Sequence, residues 1–143
     1  MEELLAMARE SGDEKQKAAA LRGYIRMIGM KRAAGLEPAE AVALYEMAID
    51  TAEGDEERAL ALQGMAKAVD LKALEFLRGY IEELVAFEDK AVLPQAETAY
   101  VDIAIALRKN HPQEAKAALE QFCGASKNKE LIERATAAVQ EIK

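Results

Sequence analysis

Residues 54–86 read GDEERALALQGMAKAVDLKALEFLRGYIEELVA, a pattern that predicts two α-helices joined by a very short turn. Asp55 and Asp70 stand where the two helices would begin, and an aspartate there can accept a hydrogen bond from a free backbone N–H of the first turn. After each aspartate, apolar residues recur every three or four positions, so each helix has an apolar face to bury. The stretch therefore predicts a helical hairpin.

Similar helical patterns continue on both sides of this hairpin. Pro38, Pro94 and Pro112 each stand where a helix would start, because a proline in the first turn gives up only an N–H that has no partner there. Either Gly29 or Gly35 ends the second helix: the propensity of the residues between them slightly favours a continued helix, but we favour a loop at residues 29–37. The further predicted helices are residues 2–10, 13–28, 38–52, 94–109, 112–124 and a last helix that begins after Ser126 or Asn128.

Short internal similarities indicate a repeated unit. Residues 20–25, 61–66 and 99–104 align at offsets of 41 and 38 residues, which are periods typical of helical solenoids. Gly23 and Gly64 share this phase, and we expect each to allow close helix packing, because a glycine inside a helix otherwise costs about 1 kcal/mol against alanine. The predicted fold class is all-α: an α-α superhelix of about three helix pairs plus a short N-terminal helix, with a compact helical bundle as the alternative.

The chain of 143 residues carries a formal net charge of −7, and its acidic excess lies within residues 36–90. Proteins bind nucleic acid through Lys and Arg side chains that neutralise phosphates, so this charge argues against a nucleic-acid partner and favours a basic one. No stretch approaches the roughly 20 consecutive apolar residues that a membrane span requires. The composition therefore predicts neither a nucleic-acid nor a membrane partner.

Cys123 and His111 are the single cysteine and the single histidine of the sequence. One cysteine cannot form an internal disulfide, and no Cys or His spacing matches a zinc or haem site. We interpret Cys123, beside Phe122 on a predicted helix, as a packed apolar residue. We interpret His111, which precedes Pro112 at a helix start, as a capping or solvent-facing residue. The sequence thus predicts no catalytic residue, no metal site and no cofactor.

Two segments carry a resemblance to a known family: GDEERALALQGMAKAVDLKALEFLRGYIEEL at residues 54–84 and HPQEAKAALEQFCGASKNKELIERA at residues 111–135. With a repeat of about 40 residues, the chain resembles HEAT-like repeats, an ARM-type α-solenoid, over roughly residues 12–143. It looks most like helical modules attached to larger exported bacterial proteins, which implies a scaffold without catalytic residues. HEAT-like repeats also occur in bilin lyases, so a lyase-like enzyme is the alternative function.

The resemblance further implies that residues 1–143 are a single domain excised from a larger protein, extracytoplasmic if that protein is exported. The amphipathic start MEELLAMARE, residues 1–10, supports this expectation, because no helix precedes it that could cover its apolar face. We therefore expect the first helix to pack against a preceding part of the parent protein.

Solenoids bind partners along an extended face that the second helices of their repeats form. In this chain those helices are the ones predicted at 38–52, 71–86 and 112–124. The polar positions on them that we expect to face a partner are Glu46, Asp50, Glu75, Arg78, Glu82 and Glu120, with Tyr45 and Tyr80 adding contact area. This set is acidic, so the predicted partner is a basic protein or peptide, or another domain of the parent chain.

Overall fold

The computed structural model describes residues 1–142 and has, within that range, eight α-helices and no strand. In chain order they are α1 (Glu2–Glu10), α2 (Glu14–Ala33), α3 (Pro38–Thr51), α4 (Asp55–Met65), α5 (Leu71–Ala86), α6 (Leu93–Leu107), α7 (Pro112–Ala125) and α8 (Lys129–Glu141). The predicted all-α fold class is confirmed. None of these eight helices has the length and apolar character needed to cross a membrane.

Most helix starts follow the predicted sequence signals. The Asp70 carboxylate accepts a hydrogen bond from the backbone N–H of Lys72 at 2.9 Å, which satisfies one of the free donors of the first turn of α5. Pro38, Pro94 and Pro112 all lie in first turns, as predicted. Local capping chemistry therefore sets where these helices begin.

The start of α4 differs from the prediction by one residue. Gly54, not Asp55, is the N-cap, and Asp55 is the first helical residue. Its carboxylate forms an ion pair with Arg58 at 3.1 Å, one turn further on. An acidic side chain in the first turn still stabilises the helix, because it faces the positive end of the helix dipole.

The second helix is longer than predicted, and the predicted loop at residues 29–37 is wrong for its first half. α2 continues to Ala33, since Met, Lys, Arg and Ala at this point are all good helix formers. The helix ends at Gly35, whose φ of +113° is accessible to glycine, and the N–H of Leu36 donates back to the carbonyl of Lys31 at 2.8 Å. This hydrogen bond is that of a Schellman C-cap.

The chain forms two compact units, residues 1–68 and the part from Val69 onward. The boundary falls inside the stretch 54–86, so α4 belongs to the first unit and α5 to the second. The helix α4 packs on α3 and α2, and α5 packs on α6. Both predicted helices are therefore present, and each has its main packing partner inside its own unit.

In the first unit, α1 packs on α2, α3 packs on α4, and α2 also lies against α3 and α4. The side chains at its centre are almost fully buried: Tyr24, Ile28, Val42, Leu62 and Met65. Each neighbour in sequence is thus also a neighbour in space, which is the local packing rule of helical repeats.

The first helix is covered from within its own unit. Leu5 and Ala8 are buried to 7% and 4% exposure, and α1 packs on both α2 and α3. The apolar face of α1 therefore has partners in this chain, in helices that follow it. Packing of α1 against a preceding part of a parent protein stays a prediction.

The two glycines that share the repeat phase differ in their surroundings. A β-carbon on Gly23 would lie 3.5 Å from Leu4 Cδ1, an ordinary van der Waals distance. A β-carbon on Gly64 would lie 2.5 Å from Cε1 and Cζ of the Tyr45 ring, which is shorter than any stable contact. Close packing therefore requires the glycine at Gly64 but not at Gly23.

In the second unit, α5 packs on α6, α7 packs on α8, and α6 also lies against α7 and α8. Its largest fully buried side chains are Leu77, Val92, Val101, Ile103 and Leu119. The helix α6 buries 8 of its 15 residues, so it is covered on more than one side. It forms the centre on which the partner helices of this unit are arranged.

Candidate functional site

One side of α5 carries a row of exposed charged residues in the second unit. Glu75, Arg78 and Glu82 are all exposed, and their spacing of three and four positions places them along the same side of the helix. Gly79 lies within this row, and a β-carbon on it would meet nothing within 4 Å. We call the side defined by Glu75, Arg78 and Glu82 the α5 face. It is open surface.

The α5 face adjoins a buried tyrosine on α6. Burial raises the pKa of Tyr100, while the positive charge of Arg78 lowers that pKa and the carboxylate of Glu82 raises it. The Tyr100 hydroxyl donates a hydrogen bond to Gln121 Oε1 of α7 at 3.2 Å. Its ring also lies 6.2 Å, centre to centre, from that of Phe122. Side chains of α5 and α7 therefore meet around Tyr100.

The two other residues of the second unit that we predicted to face a partner are less available for binding. Glu120 is exposed on α7 but forms an ion pair with Lys116 at 4.0 Å, so part of its charge is balanced. Tyr80 is half-buried and stacks on Phe76, with ring centres 5.6 Å apart and an interplanar angle of 15°. Because the two half-buried rings stack on each other, Tyr80 adds little contact area to the α5 face.

The remaining three predicted residues lie on α3, in the first unit. Asp50 is exposed and Glu46 is half-buried, but the side chain of Tyr45 is only 3% exposed. The ring of Tyr45 packs against the backbone of α4 at Gly64, so it offers almost no contact area to a partner. Its predicted role as exposed contact area is therefore wrong, because a tertiary contact with another helix removes it from the surface.

The reactive side chains are engaged in local contacts. His111 Nδ1 lies 3.2 Å from Glu114 Oε2, one turn into α7. The Cys123 sulfur is half-buried, 3.5 Å from Thr136 Oγ1 and 3.8 Å from the carbonyl oxygen of Ile132. Within residues 1–142, no group of three His, Cys, Asp or Glu side chains is placed to hold a metal ion.

We expect Cys123 to react slowly with iodoacetamide in the native chain, at least about tenfold more slowly than in 8 M urea, because a half-buried thiol is shielded from the reagent. Mass spectrometry of quenched samples measures both rates, with N-acetylcysteine as the unshielded control. Native labelling as fast as that of the control would show an accessible thiol and would favour the lyase-like alternative.

Two grooves in the first unit were not predicted from the sequence. One, of about 300 Å³, has four charged lining residues, of which three are in ion pairs: Lys17 pairs with Glu53 at 3.3 Å, and Glu57 with Arg22 at 3.5 Å. The other, of about 490 Å³, lies over Tyr45. The only sequence signal for the second groove is a glycine on each of its two walls, which tertiary packing alone brings together.

No family model, curated protein or solved structure matched this chain when each set was compared with it. The HEAT-like resemblance therefore stays a prediction.

Proposed function

We propose that this chain is a non-catalytic interaction module, of the HEAT-like ARM-type kind that its sequence resembles, and that its α5 face binds a basic segment of a partner protein. The observation that carries the proposal is the pair of exposed carboxylates on this face. Glu75 and Glu82 have no ion-pair partner among the described residues, 1–142. Two open carboxylates on a rigid helix are suited to Lys or Arg side chains of a ligand.

The charge around these carboxylates favours a basic ligand despite Arg78. Residues 69–90 hold 6 acidic and 3 basic side chains, so the net charge near α5 is negative. Attraction between exposed charges extends over a Debye length of about 8 Å at physiological salt. Such a field mainly raises the association rate of a ligand of opposite charge and contributes less to the lifetime of the complex.

Apolar contact area is present next to the charges. Val85 and Phe87, at the end of α5, are 59% and 81% exposed. Interfaces combine such apolar side chains with a surrounding polar rim, since burying the apolar part provides most of the affinity. The ligand that fits best is therefore a basic segment that also carries an apolar side chain.

Charge reversal at Glu75→Lys and Glu82→Lys together is expected to lower the association rate of such a ligand about tenfold at low salt and to flatten its dependence on ionic strength. The probes are Lys-rich and Arg-rich peptides selected by display against the wild-type chain. Surface plasmon resonance at several salt concentrations measures the rates. Urea unfolding of the double variant and of the wild-type chain should give nearly equal stabilities, because both carboxylates are exposed.

The matched control is Glu130→Lys with Glu133→Lys, which makes the same change in net charge on the exposed side of α8 in the same unit. We expect this control to change the association rate less than threefold. An equal effect in both double variants would mean that only net charge matters. Selection that yields no basic peptide would contradict the proposal directly, and binding only to a neighbouring domain of the parent chain would restrict the partner to that domain.

A further inference from the structure

The larger groove of the first unit lies between α2 and α4, above α3. Its lining comes from the C-terminal part of α2, from Tyr45 of α3, and from α4 with the turn after it; the lining residues are Gly29, Arg32, Ala33, Tyr45, Leu60, Gln63, Gly64 and Lys67. Its volume of about 490 Å³ falls within the range of small-ligand and peptide side-chain sites. Gly29 and Gly64 keep it open, because neither has a side chain to fill it.

Tyr45 lines the groove with a hydroxyl that the surrounding protein atoms do not fully enclose. The side chain is 3% exposed, and no hydrogen bond joins its hydroxyl to any other of residues 1–142. A hydroxyl that solvent can reach is free to exchange water for a hydrogen-bonding ligand. The hydroxyl oxygen lies 2.6 Å from the position of a β-carbon on Gly64, at the groove wall. The hydroxyl is therefore available to a ligand that enters the groove.

The charged residues of the groove are both cations. Arg32 and Lys67 line it, and no Asp or Glu does. Arg32 is close enough to Tyr45 for its charge to lower the tyrosine pKa, against the larger effect of burial, which raises it. One guanidinium N–H donates to the carbonyl of Leu36, which fixes the position of Arg32 while its other donors stay available. Lys67 has no ion-pair partner within the described range.

The partial negative charges at the C-terminal ends of α2 and α4 balance the positive charges of Arg32 and Lys67 only in part. A helix C-terminus carries at most about half a negative charge, and the effect is confined to the last turn. The two full positive charges therefore exceed the partial negative charges of the two helix ends. The groove thus attracts an anion. Hydroxyl, guanidinium, ammonium and the Gln63 amide together supply donors for a carboxylate, whereas Leu60 and Ala33 supply apolar contacts beside it.

We infer that this groove binds a carboxylate side chain of an acidic, leucine-containing peptide segment from a partner protein. The carboxylate accepts a hydrogen bond from the Tyr45 hydroxyl and pairs with Arg32 and Lys67. The apolar part of the segment lies on Leu60. This site is independent of the α5 face, since it belongs to the other unit and prefers the opposite charge, so either site can fail without the other.

The probe is an acetylated and amidated heptapeptide of alternating glutamate and leucine, titrated into the 15N-labelled full chain and followed by NMR. We expect amide shifts centred on Gly29, Gly64 and Lys67. Tyr45→Phe and Lys67→Gln should each weaken the peptide Kd about tenfold, because each removes a hydrogen bond to a charged acceptor. Tyr24→Phe and Lys15→Gln, matched changes outside the groove in the same unit, should alter the Kd less than twofold.

Three outcomes would overturn the inference. The first is equal binding of the matched peptide with glutamine in place of glutamate. The second is an unchanged Kd for Tyr45→Phe, a substitution that keeps the ring packed on Gly64 and so preserves the fold. The third is tighter binding of free acetate or inorganic phosphate than of the peptide, which would make the groove a small-anion site.

Discussion

Replacing Gly64 with alanine is expected to lower the free energy of unfolding of the first unit by about 2 kcal/mol. The new β-carbon would lie 2.5 Å from two ring carbons of Tyr45, a residue that is only 3% exposed. Relief requires the ring or α4 to shift within a close-packed core. Alanine would gain about 1 kcal/mol of helix propensity over glycine, but this gain is smaller than the cost of overpacking. Urea unfolding followed by circular dichroism measures the difference.

The matched substitution is Gly79→Ala on α5, where a β-carbon would meet nothing within 4 Å. At this position only the difference in helix propensity between alanine and glycine matters. We therefore expect the free energy of unfolding to rise by roughly 0.5–1 kcal/mol. Opposite signs at these two helical glycines would show that contact with Tyr45 sets the requirement at Gly64. A stabilising effect of Gly64→Ala would contradict the close approach of α3 and α4.

A loss of similar size is expected for Ser126→Ala in the second unit. Glu97, on α6, is only 7% exposed, and the Ser126 hydroxyl is its one hydrogen-bond donor among the described residues. The same oxygen accepts a hydrogen bond from the backbone N–H of Asn128 at 3.0 Å. Alanine would leave a buried carboxylate without a partner, which costs about 2 kcal/mol or more. Thermal and urea unfolding of the single variant give this value.

The double variant Glu97→Met with Ser126→Ala separates a lost hydrogen bond from an unpaired carboxylate. Removing both polar partners is much less costly than removing one, so the double variant should be more stable than Ser126→Ala alone. Ser11→Ala, at an exposed serine, should change stability by less than about 0.5 kcal/mol. If the two substitutions at Glu97 and Ser126 instead add their costs, the carboxylate is not held by this serine.

Helix content was predictable from this sequence because its signals are local. Asp70 and the three prolines mark helix starts through the bonding needs of a few neighbouring residues. The sequence left the end of α2 open between Gly29 and Gly35, because Gly29 resembles a helix stop but has helix formers after it; the stop lies at Gly35. A glycine can end a helix or continue it, and the residues around it determine which occurs.

The candidate sites were less predictable, since they depend on which helices pack together. The exposure of Glu75 and Glu82 follows from their positions on an amphipathic helix, and it was predicted. The burial of Tyr45 was not, because it results from a contact with a glycine 19 positions away in the chain. The groove over Tyr45 depends on the same contact, so no local pattern could indicate it.

The distribution of aromatic residues gives each unit its own optical signal. The chain has no tryptophan, so its intrinsic fluorescence comes from four tyrosines. Tyr24 and Tyr45 are buried in the first unit, and Tyr100 is buried in the second. Burial raises the pKa of all three, which means that their neutral form is preferred in the folded state and that stability falls as alkaline pH rises through their pKa values. The difference in phenolate absorbance between the unaltered chain and the Tyr100→Phe chain comes from Tyr100. It would therefore report the unfolding of the second unit at alkaline pH separately from that of the first.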